Sequence, residues 1–278
     1  MTLVHRLTTP ARGRTPSRPG AEAAQVQSLT RGLGILECLA RSEGGLTLTD
    51  IGQRVQLPLS TTHRLLSTLE KSGYVYQMGD LGRWYVGLAA FTVGSSFLAN
   101  RDFAAHSHAY MRRLMEQCGE TANLAILDAT EAVFIDQVQC RETMRTIVKL
   151  GSRVPLHASG VGKAIFASLP DDQIDALIRV KGLPRITENT ITSPETMWAR
   201  IRVIRQRGWS FDDEEHLPGT RCVAAPIYDE HGEPLAAISL AGPSSRLPDE
   251  RIKQLGTLVA HTAEDLTHRL GGKWPHGR

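Results

Sequence analysis

The sequence predicts an α+β protein: a winged helix-turn-helix, then a larger domain built on an antiparallel sheet with helices packed against it. Three observations carry this. Leu46 to Gly73 holds two short helical patterns separated by Leu57-Pro58. A hairpin pattern follows directly, with Tyr74-Val75-Tyr76 and Arg83-Trp84-Tyr85-Val86 flanking a Gly-Asp-Leu-Gly turn. From residue 122 onward, strand-like and helix-like stretches alternate, ending in a long closing helix.

In order along the chain, residues 1–25 are rich in Arg, Pro, Thr and Gly and are expected to form a disordered basic leader. Within them Arg12-Gly13-Arg14 has the composition of a minor-groove hook, and equally that of a plain flexible leader. Leu29, Leu33, Leu36, Leu39 and Ala40 have helical spacing and predict a first helix over 26–41, ended by Gly44-Gly45. Thr47-Leu48-Thr49-Asp50 fits a capping box, with Leu46 placed to staple onto Ile51. In the next helix Thr62, Leu65, Leu66 and Leu69 form the core stripe. Its other face carries Ser60, Thr61, His63, Arg64, Ser67, Thr68 and Lys71, with no carboxylate before Glu70. A hydroxyl-rich basic second helix followed by a wing is the pattern of a DNA reader; the bland alternative is a helical hairpin with a solvated face. Ser60, Thr61, Thr62 and Arg64 are the candidate readers, and Arg83 reaches phosphate from the wing.

Residues 26–86 thus form the small domain. A linker helix over 87–102 exposes an apolar side suited to a subunit interface, and 103–273 form the large domain, opened by a helix over 103–118. Strands are predicted at 122–127, 132–138, 143–149, 209–211, 221–228 and 234–240, and helices at 160–168, 171–178 and 248–270. Ser193-Pro194 is an N-cap with proline at N1, opening a helix that Gly208 terminates.

The length of 278 residues suits two domains, and a composition of 41% apolar and 22% charged residues supports real cores. Net charge is only +3, but it is unevenly placed: +3 over residues 1–25, +2 over 26–117 and −2 over 118–278. The basic excess lies beside the candidate reading helix, which favours double-stranded DNA as a partner of the N-terminal part. The cysteines, Cys38, Cys118, Cys140 and Cys222, are far apart with no CxxC. Neither a zinc finger nor a disulfide framework is expected, and a reducing cytoplasm fits best. Nothing approaches the ~18 consecutive apolar residues of a membrane span. No cofactor and no metal site is expected.

Several clusters bear on chemistry. Gly160-Val161-Gly162-Lys163-Ala164 fails as a phosphate loop, because His157 stands where the first glycine belongs and Ala164 where Ser or Thr would hold a metal. Its free backbone N–H groups at a helix start still suit a carboxylate. The acidic run Asp212-Asp213-Glu214-Glu215-His216 reads as a solvated turn from which alternation sends one or two residues inward. A metal-responsive sensor using Asp212, His216 and Cys222, and a thiol-dependent enzyme using Cys222 and Asp212, are the alternatives from other functional classes. With no base or oxyanion hole legible beside it, Cys222 reads as a buried structural thiol. Ser239 reads equally as a pocket hydroxyl or a satisfied core serine.

These residues resemble the IclR family of bacterial transcription regulators, within its acetate-operon repressor branch. The resemblance covers about residues 25–270. It rests on Gln25-Val26-Gln27-Ser28-Leu29, the segment 58–66, His157-Ala158-Ser159-Gly160 with Gly162-Lys163-Ala164, the segment 211–216, and Arg221-Cys222-Val223-Ala224-Ala225-Pro226. Val93-Gly94-Ser95-Ser96-Phe97-Leu98 and Asp136-Gln137-Val138-Gln139-Cys140 are similar to that branch. The resemblance implies a winged helix-turn-helix joined by the linker helix to a GAF-like α/β effector-binding domain, in a homodimer or a dimer of dimers. It implies a repressor of near-palindromic operators, controlled by a small carboxylate of the glyoxylate or pyruvate kind. Effector contacts would fall on the backbone N–H groups of Gly160 and Val161 and on Asp212, Cys222 and Ser239. A second pocket serine falls on Ala241, which lacks the hydroxyl. The apolar wall falls on Thr143, Thr146, Val154 and Thr220, which is more polar than the branch pattern and suits a larger or more hydroxylated acid.

Overall fold

The computed structural model describes residues 26–79, 82–99 and 102–275. The basic leader, with Arg12-Gly13-Arg14, lies outside them. The chain divides into two units, on either side of Phe97 and Leu98.

The first unit contains α1 (Gln27–Ala40), α2 (Leu48–Arg54), α3 (Leu59–Lys71) and the antiparallel hairpin β1 (Val75–Met78) and β2 (Arg83–Val86). The capping box forms as expected: the Thr47 hydroxyl accepts from the Asp50 N–H, and the Asp50 carboxylate accepts from the Thr47 N–H. Pro58 caps α3, and Gly73 follows it at φ +73°, in the left-handed region that stops a helix. Leu46 and Ile51 enter one core with Ile35, Leu39, Leu66, Val75 and Trp84. The stripe expected on α1 is corrected. Leu29 and Leu33 are exposed, and the buried line is Gly32, Ile35 and Leu39. Leucine spacing alone did not separate the inward line from a neighbouring apolar one. The helix α4 (Leu88–Ala99) comes next, with Leu88, Phe91 and Val93 exposed.

The second unit is a six-stranded sheet in the order β5-β4-β3-β8-β7-β6, with every paired neighbour antiparallel. The strands are β3 (Thr121–Asp128), β4 (Glu131–Val138), β5 (Arg153–Pro155), β6 (Ser210–Asp213), β7 (Thr220–Tyr228) and β8 (Pro234–Pro243). Helices α5 (Asp102–Cys118) and α9 (Asp249–Arg269) contribute Met111, Leu114, Leu255 and Val259 to a core with Leu124, Val223, Ile227 and Ile238. A second core joins α6 (Gly160–Ser168), α7 (Asp171–Lys181) and α8 (Pro194–Arg207) to Ala125, Phe134, Ala224 and Ala237. Alternation along each strand divides its side chains between these two cores. Alanines on the α6 side let that helix approach closely, and all of its residues are buried. The Ser193 cap, Pro194 at N1 and left-handed Gly208 at the end of α8 are as expected.

The strand expected at 143–149 does not form; residues 139–150 carry no regular structure. The edge of β4 pairs instead with β5, through Glu131 with Pro155, Ala132 with Val154 and Val133 with Arg153. The alternation at 143–149 is real, but the hydrogen-bonding edge it needs is occupied, and it serves to line a cavity.

Candidate DNA-reading helix and ligand cavity

The outer face of α3 presents Ser60, His63, Arg64, Thr68 and Lys71 to solvent, with Thr61 partly buried beside them. There is no acidic residue in its first turn. Such a face offers hydroxyl and guanidinium donors to base edges and phosphates without a repelling carboxylate. Thr62 is corrected as a reader. It is wholly buried, and its hydroxyl donates to the Pro58 carbonyl at 3.1 Å, because the turn of α3 that places Leu66 in the core carries Thr62 with it. Arg83 donates from one guanidinium nitrogen to the carbonyls of Gly45 at 3.0 Å and Gly44 at 3.5 Å, tying the wing to the turn before α2. Gly45 adopts φ +64° under the Tyr85 ring, where a Cβ would come within 2.5 Å of the ring carbons.

In the second unit a cavity of about 380 Å³ opens between the start of α6 and the β6-β7-β8-β3 part of the sheet. Strand register builds its polar end. Asp212 pairs with Cys222, Cys222 with Ala241, and Ser239 with Asn123, so residues more than 100 positions apart stand side by side. Gly160 and Val161 open α6 at this end, and their N–H groups belong to the helix's first turn, which has no intrahelical partners. Gly160 must be glycine, since a Cβ there would lie 2.5 Å from the Cys222 sulfur.

Of the expected effector residues, Gly160, Val161, Asp212, Cys222, Ser239, Thr146, Val154 and Thr220 line this cavity, as does Ala241. Thr143 does not line it and is exposed; without a strand at 143–149, only Thr146 and the residues after it turn inward. Sequence reasoning missed Asn123, Phe134, Ile147, Val148, Lys149 and Leu217 as lining residues. A single polar residue in the apolar run from Ala122 to Leu127 was the available signal for Asn123.

Electrostatics at the polar end follow from burial. Asp212 is 5% exposed, and burial raises its carboxyl from 3.8 to about 7, against the stabilising field of Lys163 and the Glu215 N–H it accepts at 2.8 Å. Burial, then the nearby Asp212 charge, pushes the Cys222 thiol up to about 12. A thiol that keeps its proton is not an activated nucleophile. Lys163 does not face a phosphate site; it forms a fully buried ion pair with Glu215. Burial lowers the Lys163 ammonium, while Glu215 and Asp212 hold it up. So the acidic run sends Asp212 and Glu215 inward, and left-handed backbone at Glu214, φ +57°, turns the chain between them. Among the described residues no cluster of three or more His, Cys, Asp or Glu side chains is placed to hold a metal ion.

A winged helix-turn-helix followed by a cavity-bearing antiparallel α+β unit defines a class of two-domain DNA-binding transcription regulators. The models of the IclR helix-turn-helix domain and of the bacterial transcriptional regulator IclR C-terminal match residues 28–79 and 95–268, and the chain belongs to the IclR family. It is similar to the acetate operon repressor of Salmonella typhimurium, with 49% identity over 264 residues, 94% of this chain and 96% of that protein. The HTH-type transcriptional repressor AllR of Escherichia coli K12 is 41% identical over 273 residues, 98% of this chain and 99% of that protein. The crystal structure of the Thermotoga maritima IclR superposes with a TM-score of 0.76 at 28% identity, covering 89% of this chain and all of that one. These relatives are transcription regulators, not enzymes. Among the described residues no helix is long and apolar enough to cross a membrane.

Proposed function

We propose that this chain is a cytoplasmic, homo-oligomeric transcriptional repressor that holds near-palindromic operator DNA through α3 and changes its grip when a small carboxylic acid binds in the second unit. Observation of one feature above all supports the acid: the start of α6 meets a buried carboxyl, Asp212, that keeps its proton up to about pH 7. The helix N-terminus attracts a carboxylate, and a protonated Asp212 donates to it rather than repelling it. Thr146 and Thr220 on the opposite wall favour an acid with a further hydroxyl or oxo group. The exposed apolar faces of α1 (Leu29, Leu33, with Val26 just before it) and α4 (Leu88, Phe91, Val93) support a dimer, which puts two α3 helices into successive major grooves. The acid acts by binding one arrangement of that dimer, or of a dimer of dimers, more tightly than another.

A thermal-shift screen of small carboxylic acids, followed by operator binding in the presence of each hit, tests this reading. An acid that stabilises the protein and changes operator affinity supports it; a protein that no acid stabilises would sink it. On the DNA side, Arg64→Ala is expected to weaken operator binding about tenfold, within the ~1–3 kcal/mol of a lost guanidinium contact, and to leave acid binding unchanged. Undiminished operator affinity in a gel-shift titration removes Arg64 from the reading face.

A further inference from the structure

We propose that a one-way chain of hydrogen bonds, started by Arg145 at the surface, fixes which end of the Asn123 amide the cavity sees. The cavity then selects an acid whose second polar group accepts a hydrogen bond, an oxo acid over the matching amino acid. This rests on the reading of the cavity as the acid site and adds a residue that sets its specificity.

The Arg145 Nε donates to Gln139 Oε1 at 3.0 Å. Gln139 Nε2 donates to Gln137 Oε1 at 3.1 Å, and Gln137 Nε2 to Asn123 Oδ1 at 2.8 Å. Asn123 Nδ2 in turn donates to the Ser239 hydroxyl oxygen at 3.5 Å, and the Ser239 hydroxyl bonds to the Cys222 sulfur. The direction is forced. A guanidinium has donors and no acceptor, so Gln139 must turn its oxygen toward Arg145 and its nitrogen toward Gln137. Each amide has one donating and one accepting end, so the same choice passes along to Gln137 and Asn123. Turning over Gln139 or Gln137 alone would oppose two donors at one contact and two acceptors at the other. Turning over Asn123 alone would oppose its nitrogen to the Gln137 nitrogen, so the 2.8 Å bond from Gln137 is what holds its orientation, the Ser239 hydroxyl being able to donate or accept.

Asn123 therefore presents N–H, not C=O, at the cavity wall. Its side chain is 1% exposed, and its contact with Ser239 is long, so its donors are poorly used within the described protein. An oxo oxygen accepts from it. A hydroxyl can also accept through a lone pair, whereas an ammonium brings only donors and leaves both sides unpaired. Asn123 and Ser239 stand opposite one another across β3 and β8, one strand from Cys222 and the start of α6, so one small acid can reach both groups.

Calorimetric titration of the full chain with pyruvate, lactate and alanine, and with 2-oxoglutarate, 2-hydroxyglutarate and glutamate, tests this. The wild type is expected to bind the preferred oxo acid at least about tenfold more tightly than its amino counterpart. Asn123→Asp puts acceptors where the donor was and is expected to abolish that preference. Arg145→Glu, on the exposed segment and so harmless to folding, supplies an acceptor at the outer end, lets the chain run backwards, and is expected to lower the oxo-to-amino ratio at least about fivefold. If none of the six compounds binds, the acid-site reading falls and this proposal with it. If wild type binds amino and oxo acids equally, or if Arg145→Glu leaves the ratio within about twofold, acid binding stands and the polarity proposal is overturned.

Discussion

Lys163→Met is expected to destabilise the second unit by about 3–5 kcal/mol, the cost of leaving one member of a buried ion pair without its partner. The Lys163 side chain is fully buried and that of Glu215 is 4% exposed. In the wild type one Glu215 oxygen already has no hydrogen-bond partner, so Lys163 is the main compensation for its charge. The Glu215 backbone carbonyl is held separately, by the Thr190 hydroxyl at 2.7 Å and the Thr187 hydroxyl at 3.2 Å, so the carboxylate cannot simply swing out to water. Removing both charges, in Lys163→Met/Glu215→Met, is expected to recover at least half of the loss, because the unpaired charge goes with the pair. Urea unfolding followed by circular dichroism reads both variants. A single variant within about 1 kcal/mol of wild type would mean that the pair is not the buried, mutually compensating unit its geometry describes.

Asp212→Asn should change how stability depends on pH, and the sign is fixed. The carboxyl titrates at 3.8 unfolded and at about 7 folded. Between those values the folded state holds a proton that the unfolded state has released. The contribution of Asp212 is therefore complete below about pH 3.8 and is lost progressively as pH rises to about 7. Above that, the folded state carries a buried charge whose cost is on the order of 4 kcal/mol. Asparagine keeps an oxygen for the Glu215 N–H and cannot ionise. The variant is expected to be more stable than wild type at pH 8, to lose more than half of the advantage by pH 5 and the rest by about pH 3.8. Melting temperatures across that range check it; parallel curves for the two proteins would show that Asp212 does not titrate between them. For the same reason the wild type should bind a carboxylic acid less tightly above pH 7, where the ionised Asp212 repels it.

Much of the fold was legible because it is written in neighbouring residues. Thr47 and Asp50 cap α2 from within one turn, and Ser193, Pro194 and Gly208 mark both ends of α8 by their own backbone preferences. The strand at 143–149 was misread because alternation reports a residue's two faces but not whether a hydrogen-bonding edge is free beside it. Thr62 was assigned to both faces of α3, and the choice depended on how far α3 rotates against the rest of its unit. The polar end of the cavity was legible through family resemblance in Gly160, Val161, Asp212, Cys222 and Ser239. Asn123, which depends on the β3–β8 register, was not.

The sequence by itself determined the order of elements, their caps and breaks, the hydroxyl-and-arginine character of α3 and the family of the chain. All of these rest on residues close together or on patterns carried whole. Tertiary structure alone decided which threonines line the cavity, Thr146 and Thr220 but not Thr143. It also decided that Lys163 spends its charge on Glu215, and that a surface arginine sets the orientation of an amide three hydrogen bonds away. Those outcomes depend on strand register and on backbone turns such as the one at Glu214. Both are settled by how separate segments pack, a quantity no local stretch of chain contains.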